Sequence, residues 1–390
     1  MEKPEPSKLA ALLLEDGSFF LGRGFGAETT VVGEAVFNTG MVGYPESMTD
    51  PSYSGQVLSF TYPLIGNYGV PGLEKDAFGL PKNFESDGIK VTGIAVSECC
   101  RRPNHWASKQ TLSDWMADQG VPGIEGIDTR SLVSTIRERG VMMCALSTGP
   151  ELPSRRELKR ALDKSARYDS VDYVKRVSTQ SVRRFGDFEK TVVLIDCGVK
   201  ESIIRNLLSR GYSVVRMPFD SPYSDVMDHN PVGVVVSNGP GDPRLCVDTV
   251  KTTERLVESE VPLLGICLGE QILGMSQGAE TYKLKYGHRG QNKPVVDLFT
   301  GEGYVTSQNH GYAVDIKTLA KTQLKPWLKN ADDQSVEGLV HTRRPAIAVQ
   351  FHPEATPGPY DTEFVFDRFV QLIESGKPAV AGERVRSMKA

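Results

Sequence analysis

Apolar and polar positions follow one rhythm before about residue 150 and another after about residue 190. In "AALLLEDGSFFLGRGFG" two apolar runs flank Asp16-Gly17, a pair that supplies the backbone angles of a tight hairpin. Further on, "GIKVTGIAVSE" predicts a strand, "SKQTLSDWMADQG" has helical spacing ended by Gly120, and "IDTRSLVSTIRERG" repeats that spacing to Gly140. Residues 1–150 therefore read as a mixed α/β domain that opens with a hairpin.

Residues 151–189 are charged and proline-bearing, with stretches such as "ELPSRRELKRALDKSARYDS". Charge runs usually face water, so this segment is expected to be a solvated helix and linker rather than a binding patch. Residues 190–378 then alternate. "KTVVLID" predicts a buried strand, "KESIIRNLLSRG" a helix closed by Gly211, "YSVVRMP" a strand, and "PVGVVVSNGPGDP" a strand entering a glycine-rich turn. The helix "CVDTVKTTERLVESE" leads to the strand "VPLLGI". Strands separated by helices lie parallel, so the expected fold is α/β with an open, doubly wound, mostly parallel sheet. Residues 379–390 are expected to form a flexible tail.

Composition narrows the function classes. At 390 residues, with about 150 per domain, two domains are expected. No apolar run approaches the roughly 20 residues of a membrane span, so no membrane role is expected. The start "MEKPEPSKLAALLLEDG" is unlike a secretory signal, which suggests a cytoplasmic protein. With 45 basic against 49 acidic residues the net charge is −4, which offers no basic field for nucleic acid. The six cysteines are scattered without zinc-type spacing, as in a reducing compartment, and no metal set is expected.

Chemistry concentrates in "LLGICLGEQILG". Ligands of such sheets sit at the carboxyl ends of strands, where Cys267 falls. The sequence G-I-C-L-G resembles the nucleophile elbow G-x-S-x-G, with Gly265 and Gly269 relieving a sharp strand-to-helix turn. The following helix directs its free N–H groups and positive dipole end at the sulfur. A buried inert thiol is the alternative, because free cysteines often behave as small hydrophobes. The base is sought among six histidines. "PAIAVQFHPEA" is an apolar strand running into His352 and Glu354; in extended chain i and i+2 project together, their Cβ atoms about 6 to 7 Å apart, so Glu354 can fix the imidazole tautomer. "SNGPGDP" ends another strand with Gly239 and Gly241, whose N–H groups suit an oxyanion hole.

Together these residues resemble the class I glutamine amidotransferases, whose Cys-His-Glu triad uses G-x-C-x-G-x-Q and H-P-E in this order; here they read "GICLGEQ" and "FHPEA". The first domain resembles the amino-terminal domain of one branch, the small subunits of glutamine-hydrolysing carbamoyl-phosphate synthase. The cues are "GEAVFNTGMVGYPESMTDPSYSGQ", "TYPLIGNYGVP", "GIDTR", "SQNHGYAV" and "QFHPEATPGP", and coverage runs from about Leu9 to about Ile373. The resemblance implies that Cys267 attacks the side-chain amide of L-glutamine to give a thioester, with His352 as base then acid and Glu354 orienting it. It places the substrate's amino acid end against Ser52, Gly239, Gly241, Gln271, Asn309, Gly311 and Tyr312, and has Leu268 and Gly241 donate to the oxyanion. Two positions depart from the commonest form: Glu270 stands where histidine is frequent, and Tyr312 where phenylalanine is frequent. A carboxylate at 270 would oppose a thiolate at Cys267.

The chain has no phosphate loop of the G-x-x-x-x-G-K type. The resemblance therefore implies no cofactor here, and a large synthetase subunit, carrying ATP and Mg, that receives ammonia and makes carbamoyl phosphate for arginine and pyrimidine biosynthesis. Three readings compete: a class I glutaminase serving another synthetase, which should lack the first 150 residues; an α/β-hydrolase-like cysteine hydrolase, whose acid usually precedes its histidine; and a non-catalytic scaffold, which has no need of a base beside a thiol.

Overall fold

A computed structural model describes residues 8–378; the expected tail at 379–390 lies outside them. The chain divides into two compact units. One comprises residues 1–76 and 81–171, and the other 77–80 and 172–390.

The first unit is built on a closed barrel of seven strands. The Asp16-Gly17 hairpin forms as predicted: Leu9–Leu14 pairs antiparallel with Phe19–Gly26, Leu12 opposite Phe20, and Gly17 takes φ +91°. Around the barrel follow Met142–Gly149, Thr30–Asn38, Gln56–Phe60, Gly93–Ala95 and Pro122–Glu125, which closes on Phe19–Gly26. Of the predicted helices, Leu112–Asp118 starts only at Leu112, with Thr111 capping Asp114 N. The residues before it, Ser108–Gln110, are extended and pair with Val70–Pro71. Thr129–Arg139 ends at Gly140 with φ +97°.

The stretch expected as a linker is divided between the units. Arg155–Lys164 is a helix with a Ser154/Glu157 capping box, and its Leu158 packs with Ala11, Leu13 and Ala145 of the barrel. Two apolar residues one turn apart, Leu158 and Leu162, are buried, so its charges cover only the outer face. After residue 171 the chain joins the second unit, where Val174 enters a core and Arg183–Phe185 becomes the edge strand of the sheet.

In the second unit Ser213–Pro218, Thr191–Asp196, Gly233–Val236, Leu263–Ile266 and Ala346–Val349 form five adjacent parallel strands. Alternate residues serve opposite faces. Val192 and Leu194 pack with helices Glu201–Ser209 and Phe364–Ser375, while Val193 and Ile195 pack with Val247–Glu258 and Leu268–Ser276. That is the doubly wound arrangement. Beyond Ala346–Val349 the sheet continues antiparallel through Val336–His341, Leu324–Asn330, Thr281–Asp297 and Gly303–Val314. The parallel ladder is thus the centre of a ten-stranded sheet rather than most of it.

Candidate active site

Three parallel strands end together, and each contributes a turn. Leu263–Ile266 stops at Cys267, which takes φ 56° and ψ −103° before the helix Leu268–Ser276 begins. Positive φ is unfavourable for a residue with a Cβ, and it is held here by packing on both sides. A Cβ on Gly265 would sit 2.5 Å from Gly269 O, and one on Gly269 would come well under 3.0 Å from Val236 O. The glycines flanking the cysteine are therefore required by the close approach of helix to strand. Cys267 N donates to Val349 O at 2.8 Å, tying the elbow to the neighbouring strand.

That strand, Ala346–Val349, delivers the histidine. His352 Nδ1 donates to Glu354 Oε1 at 2.7 Å, both side chains being buried. Because a carboxylate only accepts, a proton lies on Nδ1, and Nε2 is the nitrogen that gains and releases a proton in chemistry. Nε2 closes no hydrogen bond by distance and angle, and Cys267 is the other group that acts on the ring. Open geometry of this kind is usual before substrate binds. Burial pushes the His352 imidazole down, but Glu354 and Cys267 outweigh it and carry the pKa up to about 10. Burial pushes Glu354 up, and Lys200 with His352 bring it down to about 2. His352 thus contributes stability in full below its ordinary 6.5 and loses it as pH rises through about 10. Glu354 contributes in full above its ordinary 4.5 and loses it as pH falls through about 2.

Replacing Glu354 with glutamine removes a negative charge from the imidazolium. The His352 pKa is expected to fall well below 10, read from the pH dependence of its ring proton resonances. A titration unchanged from the parent would show that Glu354 does not hold the ring charged.

Lys200 was not legible as a site residue, yet its Nζ lies 3.0 Å from Glu354 Oε1 with both groups buried. It follows the strand Thr191–Asp196 in "DCGVK", so the strand-end argument that selected Cys267 and His352 applies to it as well. Gln350 was missed in the same way: its Nε2 lies 3.7 Å from Cys267 Sγ, and its Oε1 accepts from Gln271 Nε2 at 3.0 Å.

The third turn is Ser237–Asp242, after Gly233–Val236. Ser237 Oγ accepts from Cys197 N at 2.9 Å and Asn238 Oδ1 from Lys200 N at 3.2 Å, which fixes the loop to the neighbouring turn. Gly239 is pressed against Cys197 and Leu268, leaving no room for a Cβ, and Gly241 takes φ +91°. Leu268 opens the helix, where N–H groups have no intrahelical acceptor.

The predicted substrate residues on Gly303–Val314 come to the same place. Asn309 O lies 3.8 Å from Cys267 Sγ, and Gln271 Nε2 donates to Tyr312 O at 3.0 Å. Gly311 faces Arg289, whose Nη2 would lie 3.3 Å from an added Cβ. Ser52 lies in the first unit, buried in the Pro51–Tyr53 turn with its N–H donated to Asp50. Glu270 is fully buried with neither carboxyl oxygen hydrogen-bonded, and burial, Glu337 and Cys267 all raise its pKa well above the usual range. It is therefore neutral, and the expected opposition to a thiolate is relieved by protonation.

A thiol at a strand end, with an imidazole oriented by a buried carboxylate, is the equipment of nucleophilic acyl transfer. Residues 12–146 match the family described as carbamoyl-phosphate synthase small chain, CPSase domain, and residues 193–372 match glutamine amidotransferase class-I. The carbamoyl phosphate synthase small chain of Pyrococcus furiosus is 48% identical over 375 residues, 95% of this chain and 99% of that protein. The arginine-specific small chain of Emericella nidulans is 46% identical over 375 residues, 95% of this chain and 81% of that protein. Among solved structures, a glutamine amidotransferase from Thermotoga maritima aligns at 20% identity and TM-score 0.34, over 49% of this chain and 91% of that one.

Proposed function

We infer that this chain, which belongs to the carbamoyl-phosphate synthase small-chain family, hydrolyses L-glutamine and hands ammonia to a large synthetase subunit. The observation that carries the reading is Cys267 at a forced positive φ beside the buried pair His352–Glu354. Cys267 Sγ attacks the side-chain amide carbon, its thiol proton having passed to His352 Nε2. The oxyanion is met by the N–H groups of Leu268 and Gly241. The imidazolium then gives its proton to the leaving nitrogen, and ammonia departs from the γ-glutamyl thioester. Water, deprotonated by His352 Nε2, attacks the thioester, and glutamate leaves as the imidazolium returns that proton to the sulfur and restores the thiol. Glu354 keeps the ring oriented throughout, and Lys200 keeps Glu354 ionised. Gly239, Gln271, Asn309, Gly311 and Tyr312 are assigned to the substrate's amino acid end.

This hydrolysis needs no cofactor. The large subunit supplies ATP and Mg2+, turning bicarbonate and the delivered ammonia into carbamoyl phosphate for arginine and pyrimidine biosynthesis. No helix among the described residues is long and apolar enough to cross a membrane; the complex is placed in the cytoplasm as part of this reading. A glutaminase serving another synthetase fits less well, because the match over residues 12–146 is to the carbamoyl-phosphate branch.

The test is glutamate release by the purified chain, alone and with its large subunit, ATP and bicarbonate. Stimulation with carbamoyl phosphate formed is expected. Hydrolysis indifferent to that partner, with none formed, would assign the chain to a different synthetase.

A further inference from the structure

A second polar cluster lies where Thr281–Asp297 pairs with Gly303–Val314, His288 opposite His310 in the register. Glu337 joins it from Val336–His341, and the three ligand-capable side chains are buried. The positions are 22 and 27 residues apart, so no sequence spacing announces the set.

The hydrogen bonds fix which atoms carry protons. His310 Nδ1 lies 2.8 Å from Tyr312 O, which only accepts, so the proton is on Nδ1 and the neutral ring's lone pair is on Nε2. His288 Nε2 donates to Asp333 Oδ2 at 2.9 Å, so the nitrogen turned inward is Nδ1. Gln308 Nε2 donates to Glu337 Oε2 and to Thr306 Oγ1, both at 3.0 Å, which fixes its amide with Oε1 on the other side. His310 Nε2 therefore faces Gln308 Oε1 at 3.3 Å, His288 Nδ1 at 3.3 Å and Glu337 Oε1 at 3.9 Å. His288 Nδ1 and Glu337 Oε1 are 3.4 Å apart. Three ligand-capable atoms converge, with Gln308 Oε1 beside His310 Nε2, and one proton on His288 Nδ1 cannot serve its approaches to both His310 and Glu337.

We propose that His288, His310 and Glu337, with Gln308 Oε1 as the fourth donor, form a binding site for a zinc-class divalent cation. Donors held about 2.1 Å from a tetrahedral ion lie about 3.4 Å from one another. The separations of 3.3, 3.3 and 3.4 Å match three of the six edges of that polyhedron, and the 3.9 Å edge needs only a small closure. Two imidazoles and oxygen donors favour zinc over magnesium or calcium, which take oxygen shells. The outer contacts are those of metal ligands: His288 donates its far N–H to a carboxylate, His310 donates its own to a backbone carbonyl, and Glu337 accepts from Gln308. Independently, Glu270 places a second buried carboxyl near Glu337 with both oxygens unpartnered. A dication there would favour the ionised form of that neutral carboxyl. Such an ion clamps the strand that carries Asn309, Gly311 and Tyr312, and takes no part in hydrolysis.

The full-length Cys267→Ser variant, which removes the reactive thiol as a competing ligand, is stripped with chelator and titrated with Co2+. One cobalt per chain with visible d–d absorption, displaced by Zn2+, is expected. His288→Ala should weaken binding by about 10²-fold or more, and Asp333→Asn, at a part-exposed outer residue, by about tenfold. If His288→Ala fails to fold, Asp333→Asn decides alone. Absence of stoichiometric cobalt binding, or binding unaltered by the substitutions, would overturn the site. None of these readouts depends on glutaminase activity.

Discussion

Cys267→Ser is expected to lower kcat for glutamate release by at least about 10³-fold while leaving the fold intact. The substitution exchanges one sulfur for one oxygen and keeps the Cβ that the φ of 56° already accommodates. The site is built around a thiol: its partners, Gln350 Nε2 at 3.7 Å and Asn309 O at 3.8 Å, stand at sulfur distances. A serine oxygen, shorter-bonded and far less acidic, reaches neither and is not activated by an imidazole that is already protonated. Circular dichroism and thermal unfolding should match the parent, and the variant should still bind the large subunit. Retained hydrolysis at the parent rate would remove Cys267 from the mechanism, and with it the acyl-transfer reading.

Gly269→Ala is expected to be among the most damaging single methyls in the second unit. Its Cβ would collide with the carbonyl of Val236 and lie 3.3 Å from Ser237 O. These are backbone atoms of the central strand, which cannot turn aside. The helix Leu268–Ser276 must then lift from the sheet, carrying Leu268 N away from its proposed place at the oxyanion and disturbing Cys267. A displacement near 1 Å at a reacting group costs about 10²-fold in rate, and overpacking of this kind costs about 1–3 kcal/mol of stability. Gly274→Ala on the same helix is the control. Its Cβ meets only the side chains of Val314, at 3.0 and 3.5 Å, and Ala279, at 3.8 Å. Side-chain methyls can shift, so that variant should keep most of its activity. Equal losses in the two variants, in kcat and in denaturation midpoint, would show that helix-to-strand contact is not what the elbow glycine protects.

Much of the site was legible because its chemistry is compressed into short segments. Cys267 is bracketed by its two enabling glycines, and His352 and Glu354 are two residues apart on one strand end. Local geometry alone brings each set together. Lys200 and Gln350 were hidden for the opposite reason: a lysine after a strand and a glutamine before "FHPE" look like solvated residues until the sheet aligns their strands. The solvated helix expected in 151–189 forms as Arg155–Lys164, but its seating on the barrel was hidden because seven of its ten residues are basic or acidic, while Leu158 and Leu162 suffice to seat it. Glu270 could be seen as a departure from the family pattern, but its neutrality follows only from complete burial beside Glu337.

By itself, the order of apolar runs and helical spacings determined the doubly wound centre of the second unit and the opening hairpin, and two short motifs nominated Cys267, His352 and Glu354 as candidates, since each depends on residues near in sequence. Tertiary structure alone decided that the parallel ladder continues into an antiparallel extension, that the first unit closes as a barrel, and that His288, His310, Gln308 and Glu337 converge. Those outcomes rest on pairings between strands distant along the chain, where register and burial, not local propensity, select the partner.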